Sequence, residues 1–346
     1  MKKLLTMMLS MSLVLGALGA CTQEPVVSSA GKDTEAQNTE NEDTDVSSEG
    51  KDGEDKADTV KIAFSQCQSS DPWRIAQTND IMRAAKERGY DLIYTDAQGD
   101  TSKQISDVED ICAQGVDYLI LDGREYEASS ACLDVAKKAG VDVILIDRLV
   151  RGTAGEDYIT YIGTDFVWEG EAAGKWIIEK TGGKAKIIEV TGTPGSAAAD
   201  DRQKGFMQAL EGQEEMEVVV SQTADFSRAE AQKVVENAIQ STGGDFNVIF
   251  AHNDEMGMGA IQALKSAGIT PGQDIIVVSI DGQQDAVKSV IAGELGCTVT
   301  CNPLYGDITF DTLEKILAEE TVEESLILED FVIDSKNAEE RLPLAH

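Results

Sequence analysis

From Val60 onward, short apolar runs keep alternating with amphipathic stretches of helical length, and few folds accommodate that alternation. Strand, helix and strand in repeated succession build βαβ units and a parallel sheet. The pattern predicts strands at 60–65, 91–95, 118–122, 143–147 and 158–163, with helices at 73–88, 102–114 and 127–139. Those helices run into Gly89, Gly115 and Gly140, the residue type a left-handed C-cap needs. Runs such as YLILD and VILID are apolar on both faces, so helices must cover their sheet on both sides, which makes it parallel and doubly wound.

The same series starts again after Gly163. Helices are predicted at 166–180, 200–210, 228–240, 255–267 and 285–292, with strands at 187–191, 218–222, 248–251 and 275–280. Beyond Gly293 the pattern weakens to a strand at 297–301, a helix at 307–318 and a strand at 326–332, which are expected to cross back between lobes. A chain of 346 residues with 42% apolar content can build a core in each of two domains. The expectation is an α/β protein of two doubly wound parallel-sheet lobes joined by a three-strand hinge. One lobe takes residues 59–162 plus 302–325, and the other takes 163–301 plus 326–346. Such a pair leaves a cleft between the carboxyl edges of its sheets, where open α/β sheets bind ligands.

The amino terminus sets the compartment. Lys2 and Lys3 precede an apolar run from Leu4 to Leu18, and Leu18-Gly19-Ala20-Cys21 resembles a bacterial lipobox, so residues 1–20 read as a lipoprotein signal peptide and Cys21 as the lipidated residue. An ordinary cleaved signal with Cys21 as a free thiol is the alternative. Beyond Cys21, the stretch 21–58 is largely Thr, Ser, Glu, Asp, Asn and Gly with almost no large apolar residue. It cannot offset the entropy of ordering and reads as a disordered acidic tether. The protein is therefore placed outside the cytoplasm, on the cell membrane only through its lipid.

A formal charge of -34, from 63 acidic and 29 basic residues, excludes a sequence-independent grip on nucleic acid. Of six cysteines, five remain after Cys21, namely Cys67, Cys112, Cys132, Cys297 and Cys301. An odd number without CxxC spacing is no disulfide framework, so they read as small buried hydrophobes. Only His252 and His346 are available as imidazole ligands, and no metal or other cofactor is expected.

Candidate binding groups cluster where strands end. QCQSSDPWR at 66–74 places Asp71 as a helix cap and Pro72 in the first turn, then Trp73 and Arg74 at the cleft edge. A flat ring and a fork of donors suit a polyol, although a Trp packed beneath its own loop is the plainer reading. Glu125 lies in the charged stretch Asp122-Gly123-Arg124-Glu125-Tyr126 after the third strand. Asp147 and Arg148 close the fourth strand, as ligand contacts or as a structural pair. Arg202 follows TGTPGSAAA at what reads as a helix N-terminus, which favours an electron-rich guest, with Asp201 as a possible cap. Phe226 stacks on a ligand or fills core. Asn253 and Asp281 end later strands and complete a set of amide, carboxylate and guanidinium groups matched to a sugar's alternating donors and acceptors. His252 should face the other side of its strand, and Asp254 should chiefly cap its helix.

Enzyme signatures are missing from the sequence. There is no GxSxG elbow, GGK at 182–184 lacks the rest of a phosphate loop, and Gly257 and Gly259 lie inside a helical pattern.

Taken together, FSQ with PWR at 64–74, LIDR ending at Arg148, DDRQKGF at 200–206, ADFSRAE at 224–230, AHNDEMGMGAIQALKSAG at 251–268 and SIDG at 279–282 resemble type I periplasmic sugar-binding proteins of ABC importers. The likeness is greatest to the galactofuranose-binding branch and more distant to ribose binders. It implies that Trp73 stacks on a sugar, that Arg74, Arg202, Asn253 and Asp281 hydrogen-bond its hydroxyls, and that Asp147, Arg148 and Phe226 complete the pocket. It also implies a monomer with no enzymatic step that closes on its sugar and passes it to a membrane permease. A sensor presenting its loaded form to a histidine kinase or chemoreceptor would use the same pocket. The chain departs from the family's pattern in its charged 122–126 loop and in Cys301, where ribose binders carry an amide.

Overall fold

The computed structural model describes residues 60–346. The signal peptide, Cys21 and the acidic tether lie outside the described residues. The first series runs β1 (Ile62–Gln66), α1 (Pro72–Glu87), β2 (Leu92–Asp96), α2 (Thr101–Ala113), β3 (Tyr118–Leu121), α3 (Ser130–Ala139), β4 (Asp142–Ile146) and β5 (Thr160–Gly163). The second runs α4 (Phe166–Thr181), β6 (Ala185–Thr191), α5 (Ala197–Leu210), β7 (Met216–Thr223), α6 (Arg228–Thr242), β8 (Val248–Ala251), α7 (Asp254–Ser266), β9 (Ile276–Asp281) and α8 (Gln284–Ile291). The chain ends with β10 (Cys297–Thr300), α9 (Gly306–Leu317), β11 (Ser325–Ile327), β12 (Val332–Asp334), α10 (Ala338–Arg341) and a 3-10 turn at Leu342–Leu344.

Two six-stranded sheets result. The first has the order β11-β5-β4-β3-β1-β2 and the second β12-β10-β9-β8-β6-β7. Each reverses direction of growth beside its first strand, between β1 and β3 and between β6 and β8, so each lobe has one topological switch point at its carboxyl edge. Every pairing in the first sheet is parallel. The second carries one antiparallel edge pair, β10 with β12. Strands β1 and β8 are buried along their whole length, as double coverage by helices requires.

Three passages connect the lobes, after β5, after β10 and after β11. The third differs from expectation. In place of one strand over 326–332, β11 joins the first sheet beside β5, the chain crosses at 328–331, and β12 joins the second sheet. A short run can pair on only one sheet, and an exposed Glu329 with a half-buried Asp330 marks the break. Helix α5 begins at Ala197, earlier than the expected 200, because the Ser196 hydroxyl accepts from the Ala199 amide and caps it. The helix and turn after Asn337 were not predicted from the sequence.

Helices α4 and α5 pack in backbone contact. A methyl group on Gly205 would come within 1.9 Å of the Val167 carbonyl oxygen, and one on Gly170 within 2.0 Å of that of Arg202. This close crossing fixes where α5 presents Arg202. All five described cysteines are free thiols, four of them fully buried, and burial pushes Cys67 and Cys132 up to about 12.

Candidate functional site

The carboxyl end of β1 turns directly into α1. Asp71 accepts from the Arg74 amide at 2.9 Å, and this cap together with Pro72 sets the first turn so that Trp73 and Arg74 point inward. The Trp73 indole N–H donates to the Cys301 carbonyl oxygen at 2.7 Å, and the Tyr305 ring meets it edge-on at 6.2 Å. Arg74 lies 4.8 Å from the Trp73 ring centre. Its Nη1 contacts Asp122 and, at 2.7 Å, Asp147. Burial works against the Arg74 charge, but Asp122 and Asp147 hold it well above its ordinary value. Asp147 sits at φ +58°, a conformation rare for a residue with a Cβ, and the Tyr161 hydroxyl donates to its carbonyl oxygen at 2.6 Å. Arg148 donates through Nη1 to the Arg124 carbonyl at 3.1 Å, while its buried Nε has no hydrogen-bond partner among the described residues.

The second lobe answers with a matching set. Arg202 donates through Nε to Glu169 at 2.7 Å and through Nη1 to the His252 carbonyl at 2.6 Å, which leaves Nη2 facing Asp281 at 3.7 Å. Asn253 spends its Oδ1 on the Met256 amide as the cap of α7, so its Nδ2 is the atom left to donate. Asp281 ends β9 at φ +136° and accepts from Gln283 Nε2 at 3.1 Å; burial raises its pKa although Arg202 opposes the shift. Phe226 follows Asp225, both in the left-handed region at φ +58° and +52°. Its ring has space only because residue 192 is Gly, where a Cβ would lie 2.0 Å from Cζ of that ring. Strained non-glycine residues at three cavity positions are a common mark of a binding site.

These residues meet. Asp71, Trp73, Arg74, Asp147, Arg148, Ala198, Arg202, Phe226, Asn253, Asp281 and Cys301 line one space between the sheets' carboxyl edges, about 330 Å³ with its mouth included. The part open to a water-sized sphere is only about 30 Å³, so the lining side chains nearly fill the cleft. The lining is charge-balanced, with Arg74, Arg148 and Arg202 against Asp71, Asp147 and Asp281, and Asp122 and Glu169 stand behind it. The Trp73 and Phe226 rings both border this space, and Arg148 bridges the lobes by lying 5.1 Å from the Phe226 ring centre.

Of the residues expected at the site, Trp73, Arg74, Asp147, Arg148, Arg202, Phe226, Asn253 and Asp281 are brought together. Glu125 is not among the lining residues; its carboxylate, 34% exposed, lies 3.6 Å from Arg124 Nε. His252 is fully buried on the far side, 3.2 Å from Glu189, and burial lowers its pKa. Asn253 rather than Asp254 caps α7. Asp254 is a buried acceptor for Thr298 at 2.8 Å, the Gln283 amide at 2.7 Å and Ser279. Asp201 is not a cap either, since Ser196 holds that position. Sequence reasoning missed Ala198, which carries no signal, and gave Asp71 only its capping role.

Comparisons with known proteins agree with this architecture. Residues 62–321 match the family model described as a periplasmic binding protein domain. The chain is 35% identical over 272 residues to the galactofuranose-binding protein YtfQ of Escherichia coli, covering 78% of this chain and 86% of that protein. It is 34% identical over 327 residues to the ribose import binding protein RbsB of Bacillus subtilis, covering 94% and 97%. The crystal structure of a galactofuranose binding protein superposes with a TM-score of 0.79 at 33% identity, covering 82% of this chain and 97% of that one.

Proposed function

The chain belongs to the periplasmic binding protein domain family, and on that premise we propose that it captures a neutral monosaccharide between its lobes and delivers it to an ABC importer. Binding proteins of this kind are not enzymes, and no turnover step is assigned. The observation that carries the proposal is the lining itself, three guanidiniums balanced by three carboxylates around the Trp73 and Phe226 rings. A balanced lining with carboxylates behind it offers no net positive charge to a phosphate or sugar acid. Its donors and acceptors suit hydroxyls, and its ring faces suit the C–H side of a sugar. Trp73, Arg74, Asp147, Arg148, Arg202, Phe226, Asn253 and Asp281 are the proposed contacts.

Two bodies, residues 59–162 with 302–325 and residues 163–301 with 326–346, are proposed to hinge about the three passages, the mode of closure for which periplasmic binding proteins are the type example. Lipidation at Cys21 and the tether at 21–58 would keep the receptor on the outer face of the membrane, as a monomer within reach of its permease. The relatives bind galactofuranose and ribose by name, which supports a sugar of that size. A thermal-shift screen over pentoses, hexoses and furanosides tests the proposal, because a ligand that binds only the native state raises the melting temperature by mass action. A sugar that saturates at one site per chain is the expected result; stabilisation by none of them, or only by anions, overturns it.

A further inference from the structure

The charged loop after β3 does not reach the cavity, yet it is built with care. Arg124 lies in a slot, donating through Nη1 to Gln68 Oε1 at 3.1 Å. Residue 99 at the back of the slot is Gly, where a Cβ would stand 3.3 Å from that same Nη1. From there Nη2 crosses to the other lobe and meets Asp225 Oδ1 at 3.4 Å. Asp225 is held in turn, since the Thr193 hydroxyl donates to the same oxygen at 2.6 Å. A second bond crosses beside it, with the Tyr126 amide donating to the Gly195 carbonyl at 2.8 Å, and the Arg151 amide holds Tyr126 from behind at 2.9 Å.

Each partner neighbours a lining residue. Asp225 precedes Phe226, Gly195 lies just ahead of Ala198, and the Arg124 carbonyl accepts from Arg148. The two crossing bonds therefore stand over the Arg148 and Phe226 side of the cavity. The backbone bond closes only when the loops touch, which leaves no room for a ligand substituent between them.

We propose that Arg124–Asp225 and Tyr126–Gly195 form a latch that sets the ligand's size limit: it closes over a sugar whose hydroxyl ends at this wall and stays open when a larger group protrudes there. The proposal rests on the sugar-receptor reading and adds a specificity rule to it. Since the crossing bonds exist only in the closed form, they raise the fraction of chain that is competent to hold ligand, and apparent affinity follows that fraction. A ligand that blocks closure forfeits the contribution, so latch and substituent are thermodynamically coupled.

The test pairs ligand change with mutation. D-galactose and D-ribose, and their mono-O-methyl ethers at each hydroxyl in turn, are titrated by calorimetry into wild type, Arg124→Gln and Asp225→Asn, the Asn being chosen because it tolerates φ +52°. Affinity for the parent sugar is expected to fall about 2- to 5-fold in either variant, the scale of a partly exposed ion pair. At the hydroxyl facing the latch, the ether should bind wild type more weakly than the parent, and that gap should shrink by the same factor in both variants. Higher salt should reduce the difference between wild type and variants, because the pair is 14% and 52% exposed. Parent binding with ether-to-parent ratios identical in wild type and variants at every position overturns the latch alone. No binding to wild type by either parent sugar or by any other neutral sugar of the thermal-shift screen overturns the receptor reading and the latch with it.

Discussion

The indole N–H of Trp73, on the first helix of one lobe, donates to the carbonyl oxygen of Cys301 at 2.7 Å, where the chain has just left the last parallel strand of the other. The ring that faces the cavity is thus pinned to a passage between lobes, so its position reports on the hinge. Trp73→Phe keeps an aromatic face and removes the donor. Leaving a buried acceptor short of a partner costs about 1–3 kcal/mol, and urea denaturation should show a loss of that order. Sugar affinity should fall in Trp73→Phe and fall further in Trp73→Ala, as calorimetry can measure; equal affinity in all three proteins would remove Trp73 from the site.

Gly192 and Gly205 separate binding from stability. An alanine methyl at 192 would lie 2.0 Å from the Phe226 ring, which borders the cavity and can swing into it. Gly192→Ala should therefore lose most sugar affinity while its melting temperature changes modestly. At 205 the obstacle is the Val167 backbone at 1.9 Å, which cannot move without parting α4 from α5. Gly205→Ala should be destabilised by about 1–3 kcal/mol or more, as overpacking predicts. Thermal melts and titrations of both variants check the contrast.

Much of this arrangement was legible in the sequence because doubly wound sheets put their polar residues in one place. Asp147, Asn253 and Asp281 each follow an apolar run, and a parallel strand that ends there leaves them at the carboxyl edge of its sheet. Illegible features depended on contacts between distant residues. Nothing local announces that 326–332 divides between two sheets, since three residues pair equally well on either edge until the sheets exist. Ala198 lines the cavity only because Ser196 starts its helix earlier than the apolar pattern does. The departure of Glu125 from the lining has the same origin, its loop being drawn to the mouth by the Tyr126 amide bond to Gly195.

Arg202 serves two ends, and a pair of variants separates them. It is the cation against buried Glu169, with the two side chains 4% and 0% exposed. Arg202→Met leaves that carboxylate unpaired, a loss of about 3–5 kcal/mol for breaking a buried pair. Adding Glu169→Gln removes the orphan charge and should restore much of the stability. Sugar binding should stay lost in both proteins, because the guanidinium facing Asp281 is gone. Denaturation curves and titrations of the single and double variants decide it; recovered binding in the double variant would make Arg202 purely structural.

The third passage between lobes should make stability depend on pH. Asp330 accepts from the Thr300 hydroxyl at 2.8 Å through one oxygen, while the other is buried without a hydrogen-bond partner among the described residues. Burial, and then the Glu169 carboxylate beside it, push its carboxyl from 3.8 up to about 8. The folded chain thus holds a proton that the unfolded chain releases near its ordinary value. Between about pH 4 and 8 the folded state binds more protons, so this group's stabilising contribution is full at the acid end, declines as pH rises through the window, and is flat beyond it. Asp122, raised to about 7 by burial, acts in the same direction, so the wild-type slope alone cannot identify Asp330. The difference between wild type and Asp330→Asn can. An amide keeps an acceptor for Thr300 and never ionises, so its advantage in melting temperature should be small near pH 5 and grow toward about pH 9. A difference that stays constant across that range would mean that Asp330 is already ionised in the folded hinge at neutral pH.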